Sequence, residues 1–419
     1  MNGKQQPGMN RFFLILIFCG SITASFGQAR GLDYFINQAV ANSPLLKDLQ
    51  NQVKINQLDS MLILAAQRPQ VALTSNDNYS PVINGFGYDA AITNGANINA
   101  VINVNKSLLN GRKNKAQFAS LQLLSNALSN NMAVSEQDIK KSVIAQYITV
   151  YGDMLQVDFS SEILAMLSKQ EIILKKLTEK NVYRQVDYLS FYVTLQQNQF
   201  KLKQQVNQYK NDYFILNYLA GISDTAQPVL EKPAISLNLL PDINQSAFFK
   251  KYQIDSLTLA VNKTLVDISY RPRLNAYADA GYNSSLAYKP YKNFGTSVGL
   301  TLTIPIYDGK QKALQYSKIE TQENTRFANK QFFTNQYYQQ VAQLKQQLQS
   351  TEDLVNDINQ QLKYIETLIR VNEKLLQTGD VRIYDYILAL NNFLNAKSLI
   401  NDNTISRLQL INQLNYWNR

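Results

Sequence analysis

Histidine is absent from the chain of 419 residues, and cysteine occurs once, as Cys19. Histidine is the commonest general base and a frequent metal ligand, so its absence excludes Ser-His-Asp triads, Cys-His dyads and zinc sites that contain histidine. A lone cysteine excludes an internal disulfide and a thiolate metal cluster. Charged residues form only 17% of the chain, and no spacing groups the acids, lysines and tyrosines into a catalytic set. We therefore expect a protein that is not an enzyme and has no cofactor or bound metal.

Proline is missing from two long stretches, residues 82–227 and 306–419. A helix interior excludes proline, so both stretches are predicted to contain long helices. Residues 112–180 contain a single glycine, Gly152, and would extend about 100 Å as one helix, at ~1.5 Å per residue. From Val355 to Leu376 apolar residues recur at spacings of three and four, which is typical of helices that pack against other long helices.

The first 27 residues have the layout of a secretory signal peptide. Lys4 and Arg11 precede an uncharged apolar run at 12–18, and small residues follow up to Gly27. The apolar run is shorter than the roughly 20 residues that a membrane-spanning helix needs. We expect cleavage after residues 1–27, which removes two of the 41 basic residues and leaves an exported chain with 39 basic and 31 acidic residues.

The chain contains an internal duplication. Three motifs recur at a constant offset of 198 residues: Asn110-Gly111-Arg112 as Asp308-Gly309-Lys310, Asp187-Tyr188-Leu189 as Asp385-Tyr386-Ile387, and Leu216-Asn217-Tyr218 as Leu414-Asn415-Tyr416. One such match could arise by chance, but three at one offset indicate a tandem repeat. We predict a first structural repeat at 28–221, a linker with three prolines at 222–246, and a second structural repeat at 247–419.

Each repeat is predicted to contain a helix, two strands and two long helices. The strands are expected at about 71–79, 96–106, 274–283 and 294–306, and the long helices at about 111–180, 184–219, 309–378 and 383–417. Apolar and polar residues alternate along the strands over roughly ten residues, which is the pattern of a strand that crosses a membrane. A soluble sandwich with one wet face is the alternative, but four strands among long helices cannot close a sandwich core.

Four strands are too few to close a barrel, which usually has at least about eight. An open sheet edge in lipid leaves backbone groups unpaired at a cost of several kcal/mol each. We therefore expect the chain to form a ring of identical copies. Three copies would supply twelve strands.

Several motifs together resemble the TolC-like family of outer-membrane efflux proteins. They are the strand openers Arg68-Pro69 and Arg271-Pro272, the strand exit at 304–310 with Pro305, Asp308 and Gly309 (whose first-repeat counterpart is Gly111), the segment at 378–385, and the terminal segment at 414–417. The resemblance covers nearly the whole exported chain in the same order. It implies a mainly α fold with a membrane β-barrel portion, in which a trimer forms a 12-stranded β-barrel continued by a 12-helix α-barrel.

The resemblance also implies a function and partners. The chain would be a passive export duct of a tripartite efflux pump, in the outer membrane of a Gram-negative bacterium and extending into the periplasm. It would form a homotrimer, contact outer-membrane lipid, and work with a periplasmic adaptor protein and an inner-membrane transporter of the resistance-nodulation-division or ABC type. Its cargo would be small molecules such as drugs, toxic compounds or metal ions.

Two other functions stay open at this point. A type I protein secretion system uses the same outer-membrane part, and a structural or adhesive trimeric coiled-coil surface protein would also contain long helices. Nucleic-acid binding is not expected, because the basic residues are dispersed along the sequence and the chain is exported.

The resemblance places the narrow end of the duct at the turns between the long helices. These turns fall near Asn181 and Gly379, two residue types that tolerate positive φ, and together with Arg382 they would contact the adaptor. Asp385 and Asp187 would form the pore constriction, where a ring of carboxylates favours cations. The alternative for either aspartate is a helix-dipole partner on a solvated face.

At two positions the sequence departs from the type member of that family. Leu388 stands where the type member has a second acidic residue one turn after its constriction aspartate. In the type member, a tyrosine binds the residue that corresponds to Asp187 and so latches neighbouring helices. Leu376 stands at the position of that tyrosine. These departures argue against a two-tier acidic constriction and against that latch.

Overall fold

A computed structural model describes residues 30–87, 95–238, 243, 246–286 and 289–417 of the chain. Residues 1–27, predicted as a signal peptide, and part of the linker predicted at 222–246 lie outside the described residues. Within the described ranges the elements are α1 (Leu32–Asn42), α2 (Pro44–Ala66), β1 (Gln70–Ser80), β2 (Gly95–Ser107), α3 (Gly111–Glu179), α4 (Gln185–Leu219), α5 (Ala247–Ser269), β3 (Arg273–Ser284), β4 (Phe294–Thr303), α6 (Gln311–Thr378) and α7 (Ile383–Trp417).

The first repeat opens with two helices where one was expected. The break lies at Ser43 and Pro44, between α1 and α2. Proline at the first position of a helix loses no intrahelical hydrogen bond, because the amide there has no partner in any case. The Ser43 hydroxyl caps α2 by accepting a hydrogen bond from the Leu46 amide at 3.3 Å.

Strand β4 ends at Thr303, three residues earlier than expected, and helix α6 begins at Gln311 instead of 309. Pro305 has no amide to donate to a sheet ladder, so the strand ends before it. Gly309 and Lys310 adopt positive φ, +63° and +69°, which keeps them out of the helix. The predicted ends of α3 and α4 differ from the observed ones by a single residue.

The four strands form one antiparallel sheet in the order β1-β2-β3-β4. One face is mainly aliphatic, with a row that runs through Val71, Val104, Ala278 and Val298 on successive strands, although Ser75 and Asp77 of β1 also lie on it. The opposite face is polar, where Asn103 donates to the Thr74 hydroxyl and Ser297 donates to the Asp279 carboxylate. The alternation in the sequence therefore corresponds to two chemically distinct faces.

The chain divides into two compact units, and each takes segments from both predicted repeats. The turn unit contains the described residues within 30–39, 143–234 and 358–405. The sheet unit contains those within 40–142, 235–357 and 406–417, and so holds all four strands. One repeat cannot bury its own apolar faces, so segments of the two repeats pack together in each unit.

The predicted apolar seam of α6 is buried in the turn unit. Ile358, Leu362, Ile365 and Ile369 pack with small residues of α7 that include Ala389. The small side chains let the two helix backbones approach each other. Among the helices that the structure describes, none has an apolar stretch long enough to cross a lipid bilayer.

Candidate functional site

The two turns between long helices have the same backbone geometry. Asn181 has φ of +61° and Gly379 has φ of +84°. After each, an amide bonds to the carbonyl five residues earlier and closes the preceding helix: Val182 to the Leu177 carbonyl at 2.9 Å, and Asp380 to the Leu375 carbonyl at 3.0 Å. These are Schellman motifs, in which the left-handed residue follows the last helical residues. Positive φ explains why asparagine and glycine occupy these two positions.

The two turns contact each other within the turn unit. A Cβ atom on Gly379 would lie 2.7 Å from Cγ1 of Val182, closer than side chains normally approach. Positive φ favours glycine at position 379, and the contact with Val182 leaves little room there for a side chain.

Tyr183 binds the second turn directly, a role that the sequence reasoning missed. Its buried hydroxyl donates to the backbone carbonyls of Val381, at 2.9 Å, and Leu376, at 3.3 Å. Burial raises the pKa of Tyr183, so the phenol stays protonated and able to donate. The Leu376 side chain is fully buried among the apolar residues beneath the turns.

Each predicted constriction aspartate is paired with an arginine three residues earlier. Arg382 donates from Nε to Asp385 Oδ2 at 2.8 Å and from a terminal nitrogen to Oδ1 at 3.1 Å. Arg184 donates to Asp187 in the same way, at 3.1 Å and 3.3 Å. These bonds raise the pKa of both guanidinium groups. Arg382, expected as an adaptor contact, is thus also the charge partner of Asp385.

The arginines project further into solvent than the aspartates that they bind. Their side chains are 82% and 81% exposed, against 37% for Asp385 and 26% for Asp187. At the two turns, the guanidinium groups therefore lie outermost and the carboxylates lie behind them. The alternative role of each aspartate is also present, since both lie in the first turn of a helix, where a negative charge is favourable.

The structure brings the five predicted turn residues together in the turn unit. The eight repeat-motif residues lie in the sheet unit, where helices join strands: Arg68, Pro69, Gly111, Arg271, Pro272, Pro305, Asp308 and Gly309. Asp308 caps α6, because its carboxylate accepts hydrogen bonds from the amides of Lys310 at 2.9 Å and Lys312 at 2.8 Å.

A partly buried carboxyl pair in the turn unit was also missed. Asp153 of α3 lies near Asp212 of α4, and desolvation followed by the interaction with the Asp212 carboxylate raises the pKa of Asp153 to about 7. Asp212 also accepts hydrogen bonds from Gln208, at 2.6 Å, and Gln146, at 3.3 Å. Two carboxylates close to each other disfavour each other's ionisation, so Asp153 keeps its proton to a higher pH than an exposed aspartate does.

Replacing Asp153 with asparagine is expected to stabilise the protein at high pH. Its folded pKa of about 7 lies above the ordinary value of 3.8, so the folded chain binds more protons than the unfolded chain between these values. Stability therefore falls as pH rises through this window, and the loss is complete above pH 7. We expect Asp153→Asn to raise the free energy of unfolding by about 1–2 kcal/mol at pH 8 and to change it little at pH 4, after allowance for solvent screening.

Thermal denaturation of the detergent-purified protein at the two pH values measures this effect. Asp402→Asn, at an exposed position of α7, is the matched control for removing one carboxylate. An equal change in Tm at pH 4 and pH 8 for Asp153→Asn would contradict the assignment.

No protein-family model and no curated protein matches this sequence. Solved structures do match its fold. The outer membrane protein VceC of Vibrio cholerae is 15% identical, with a TM-score of 0.75 over 92% of this chain and 96% of VceC. The CmeC outer membrane channel of Campylobacter jejuni is 11% identical, with a TM-score of 0.73 over 92% of this chain and 85% of CmeC. This chain has the fold of an outer-membrane channel.

A third structure with the outer-membrane channel fold is the MtrE channel of Neisseria gonorrhoeae in its open state. It is 12% identical, with a TM-score of 0.72 over 92% of this chain and 88% of MtrE. The fold resemblance predicted from the motifs is thereby confirmed, together with a mainly helical chain that carries a small antiparallel sheet. The fold is retained although few residues are identical.

Proposed function

We propose that three copies of this chain form a passive export duct in the outer membrane. The duct belongs to a tripartite efflux pump and carries small molecules. A periplasmic adaptor and an inner-membrane transporter, of the resistance-nodulation-division or ABC type, supply the energy and the choice of cargo. The likeness in fold to outer-membrane channels supports this proposal.

The observation that carries the proposal is the incomplete sheet. Within the described residues, β1 and β4 each pair on one side only, while Val71, Leu73, Val298 and Leu300 on the aliphatic face are at least 66% exposed. An aliphatic face suits lipid, but a free strand edge does not, because its amides and carbonyls find no partner there. Pairing β4 of one copy with β1 of the next is antiparallel and leaves no edge when the ring closes.

The number of copies follows from the space inside the barrel. Two copies would form eight strands, and an eight-stranded barrel is filled by its own side chains. Three copies would form a 12-stranded barrel, which is the smallest closed ring with room for a passage. Its lining would be the polar face of the sheet, and the long helices of the three copies would form the 12-helix barrel that continues it.

The turn residues would close the narrow end of the duct. Asp385 and Asp187 would line the constriction, and their arginine partners would moderate its negative potential. Asn181, Gly379 and Arg382 would form the surface that an adaptor contacts.

Cysteine cross-linking tests the assembly. The only cysteine of the chain is Cys19, within the predicted signal peptide, so the exported chain offers a cysteine-free background. Pairs that combine a cysteine at Thr74 of β1 with one at Ser297 or Thr301 of β4 are expected to form covalent dimers and trimers on oxidation. The control pair, Asn103→Cys with Asp279→Cys, lies at facing positions within one chain and should yield only monomers.

If every β1–β4 cysteine pair gave cross-linked dimers but no trimers, the proposed trimer would be wrong. Planar-bilayer recordings on the unmodified protein test the duct itself, because an adhesive protein should pass no ions. A cross-linked trimer with no conductance would overturn the channel function while leaving the ring in place.

A further inference from the structure

Most of the net positive charge of the chain lies where the helices join the sheet. The junction consists of the four strand ends with two turns of each adjoining helix, at residues 59–70, 105–118, 262–274 and 302–318. It contains 11 of the 41 basic residues but only 3 of the 31 acidic residues, which leaves 30 and 28 elsewhere. With residues 1–27 set aside, the rest of the exported chain carries 28 of each sign, so its net charge is zero.

The register of the sheet gathers these four segments at one edge of the sheet. Gln70 faces Asn105, and Arg273 faces Thr303, at the ends where α2, α3, α5 and α6 adjoin the strands. Basic residues that are dispersed along the sequence therefore converge on one surface, which we name the junction surface.

The cations of the junction surface are free to bind an external anion. Ten of the eleven are exposed, and none of the ten forms an ion pair within the described part of the chain. They are Arg68, Lys106, Arg112, Lys113, Lys115, Lys263, Arg271, Arg273, Lys310 and Lys318. The eleventh, Lys312, is bonded to Asp267 at 3.1 Å.

Two of the three acids of this surface are engaged internally. Asp267 accepts hydrogen bonds from Tyr316 and Lys312, which lower its pKa. Asp308 caps α6, and the bonds from the helix amides lower its pKa. Because these carboxylates are bonded to their own neighbours, of the ten exposed cations only Lys263 adds to the lowering of the Asp267 pKa.

The cations begin where the aliphatic face ends. On β2, Lys106 continues the row formed by Ile98, Ala100, Ile102 and Val104, since all five side chains point to one face. Lys106 faces Ala276 of β3. A lysine at the border of an apolar surface can lay its methylene stem along that surface and hold its ammonium group in the polar layer beyond.

We propose that the junction surface binds the phosphate groups of anionic phospholipids in the adjacent membrane leaflet. The proposal rests on the proposed function, because a membrane-embedded sheet places these cations at the depth of lipid headgroups. A basic residue near an anionic leaflet strengthens membrane binding by roughly fivefold. The charge complementarity and the adjoining aliphatic face together favour a phospholipid over a soluble anion.

Native mass spectrometry of the full-length protein tests the proposal. The detergent-solubilised protein is titrated with equal amounts of phosphatidylglycerol and phosphatidylcholine, and the bound ratio is measured. The junction variant Arg112→Gln/Lys113→Gln/Lys115→Gln removes three exposed cations from the start of α3. The control variant Lys201→Gln/Lys203→Gln/Lys210→Gln removes three exposed cations from α4, in the turn unit.

We expect the unmodified protein and the control variant to bind phosphatidylglycerol preferentially, and the junction variant to lose at least about tenfold of that preference. The charge-conserving variant Arg112→Lys/Lys113→Arg/Lys115→Arg should retain the preference for phosphatidylglycerol. This variant separates the effect of lost charge from the effect of a damaged fold. Equal binding of both lipids, or equal losses in both glutamine variants, would overturn the proposal.

Two further measurements complete the test. One distinguishes a lipid headgroup from a soluble anion, and the other distinguishes the lipid proposal from the proposed duct. If 10 mM inorganic phosphate abolished the preference for phosphatidylglycerol, the surface would be a soluble-anion site and the lipid proposal would be wrong. Bilayer conductance of the same variants reports the duct independently. Conductance without lipid preference would refute only the lipid site, and lipid preference without conductance would refute only the duct.

Discussion

Replacing Val298 with arginine is expected to reduce the amount of assembled protein in the outer membrane by at least about tenfold. Val298 lies in the middle of β4, is 82% exposed, and belongs to the aliphatic row that crosses all four strands. Arginine on the lipid face of a barrel costs about 2–4 kcal/mol near the bilayer midplane. In a trimer that cost is incurred three times, which exceeds half of the stability of a typical domain.

The neighbouring variant Ser297→Arg is the matched control. Ser297 lies one residue away on the polar face, where its hydroxyl donates to the Asp279 carboxylate. An arginine there would face water and find a carboxylate within reach, so we expect near-normal assembly. Outer-membrane fractions separated on semi-native gels give the trimer yield of each variant. Equal yields for the two variants would show that the aliphatic face does not meet lipid.

Replacing Asp385 with asparagine is expected to shift the duct from cation towards anion preference. The change frees the guanidinium of Arg382, which now donates two hydrogen bonds to that carboxylate. Three copies would add three positive charges to the constriction. In water a unit charge at about 8 Å changes the local concentration of an ion roughly twofold, so three charges change the permeability ratio by several-fold at low salt.

Arg382→Gln should move the permeability ratio in the opposite direction, because it leaves the carboxylate without its partner. The two variants control each other, since both break the same ion pair and differ only in the sign of the charge that remains. Reversal potentials across a bilayer with a salt gradient measure the ratio. If both variants shift it in the same direction, the ion pair acts through structure and the aspartate does not line the passage.

Much of the architecture follows from local patterns in the sequence. The absence of proline from long stretches predicted α3, α4, α6 and α7, because a single proline would break such a helix. Period-two alternation predicted the strands and the chemistry of their two faces. The constant offset between repeats located the second turn once the first was known, and Asn181 and Gly379 both adopt the expected positive φ.

Other features were visible in the sequence but were not used. Serine followed by proline, at Ser43 and Pro44, is the usual signal for a helix start, and it marks the break between α1 and α2. The i,i+3 spacing of Arg382 and Asp385 permits an ion pair on one helical turn. Recognising that spacing would have predicted an arginine partner for Asp385.

The remaining features depend on tertiary packing. Tyr183 bonds to the carbonyl of Val381, 198 residues away along the chain, and a backbone carbonyl has no sequence signature. Asp153 and Asp212 lie on different helices, and the raised pKa of Asp153 arises first from burial. No local pattern reports how deeply a helix face is buried once its neighbours are in place.

The hydrogen bonds of Tyr183 have a mechanical consequence for the proposed duct. Its hydroxyl spans the gap between the two helical hairpins of one chain, and the van der Waals contact of Gly379 with Val182 lies beside it. In the proposed duct, the two hairpins of each chain would therefore be coupled and would move together. A passage closed by three chains would then have three independently moving parts instead of six. Partial opening would occur in steps of one third of the full opening.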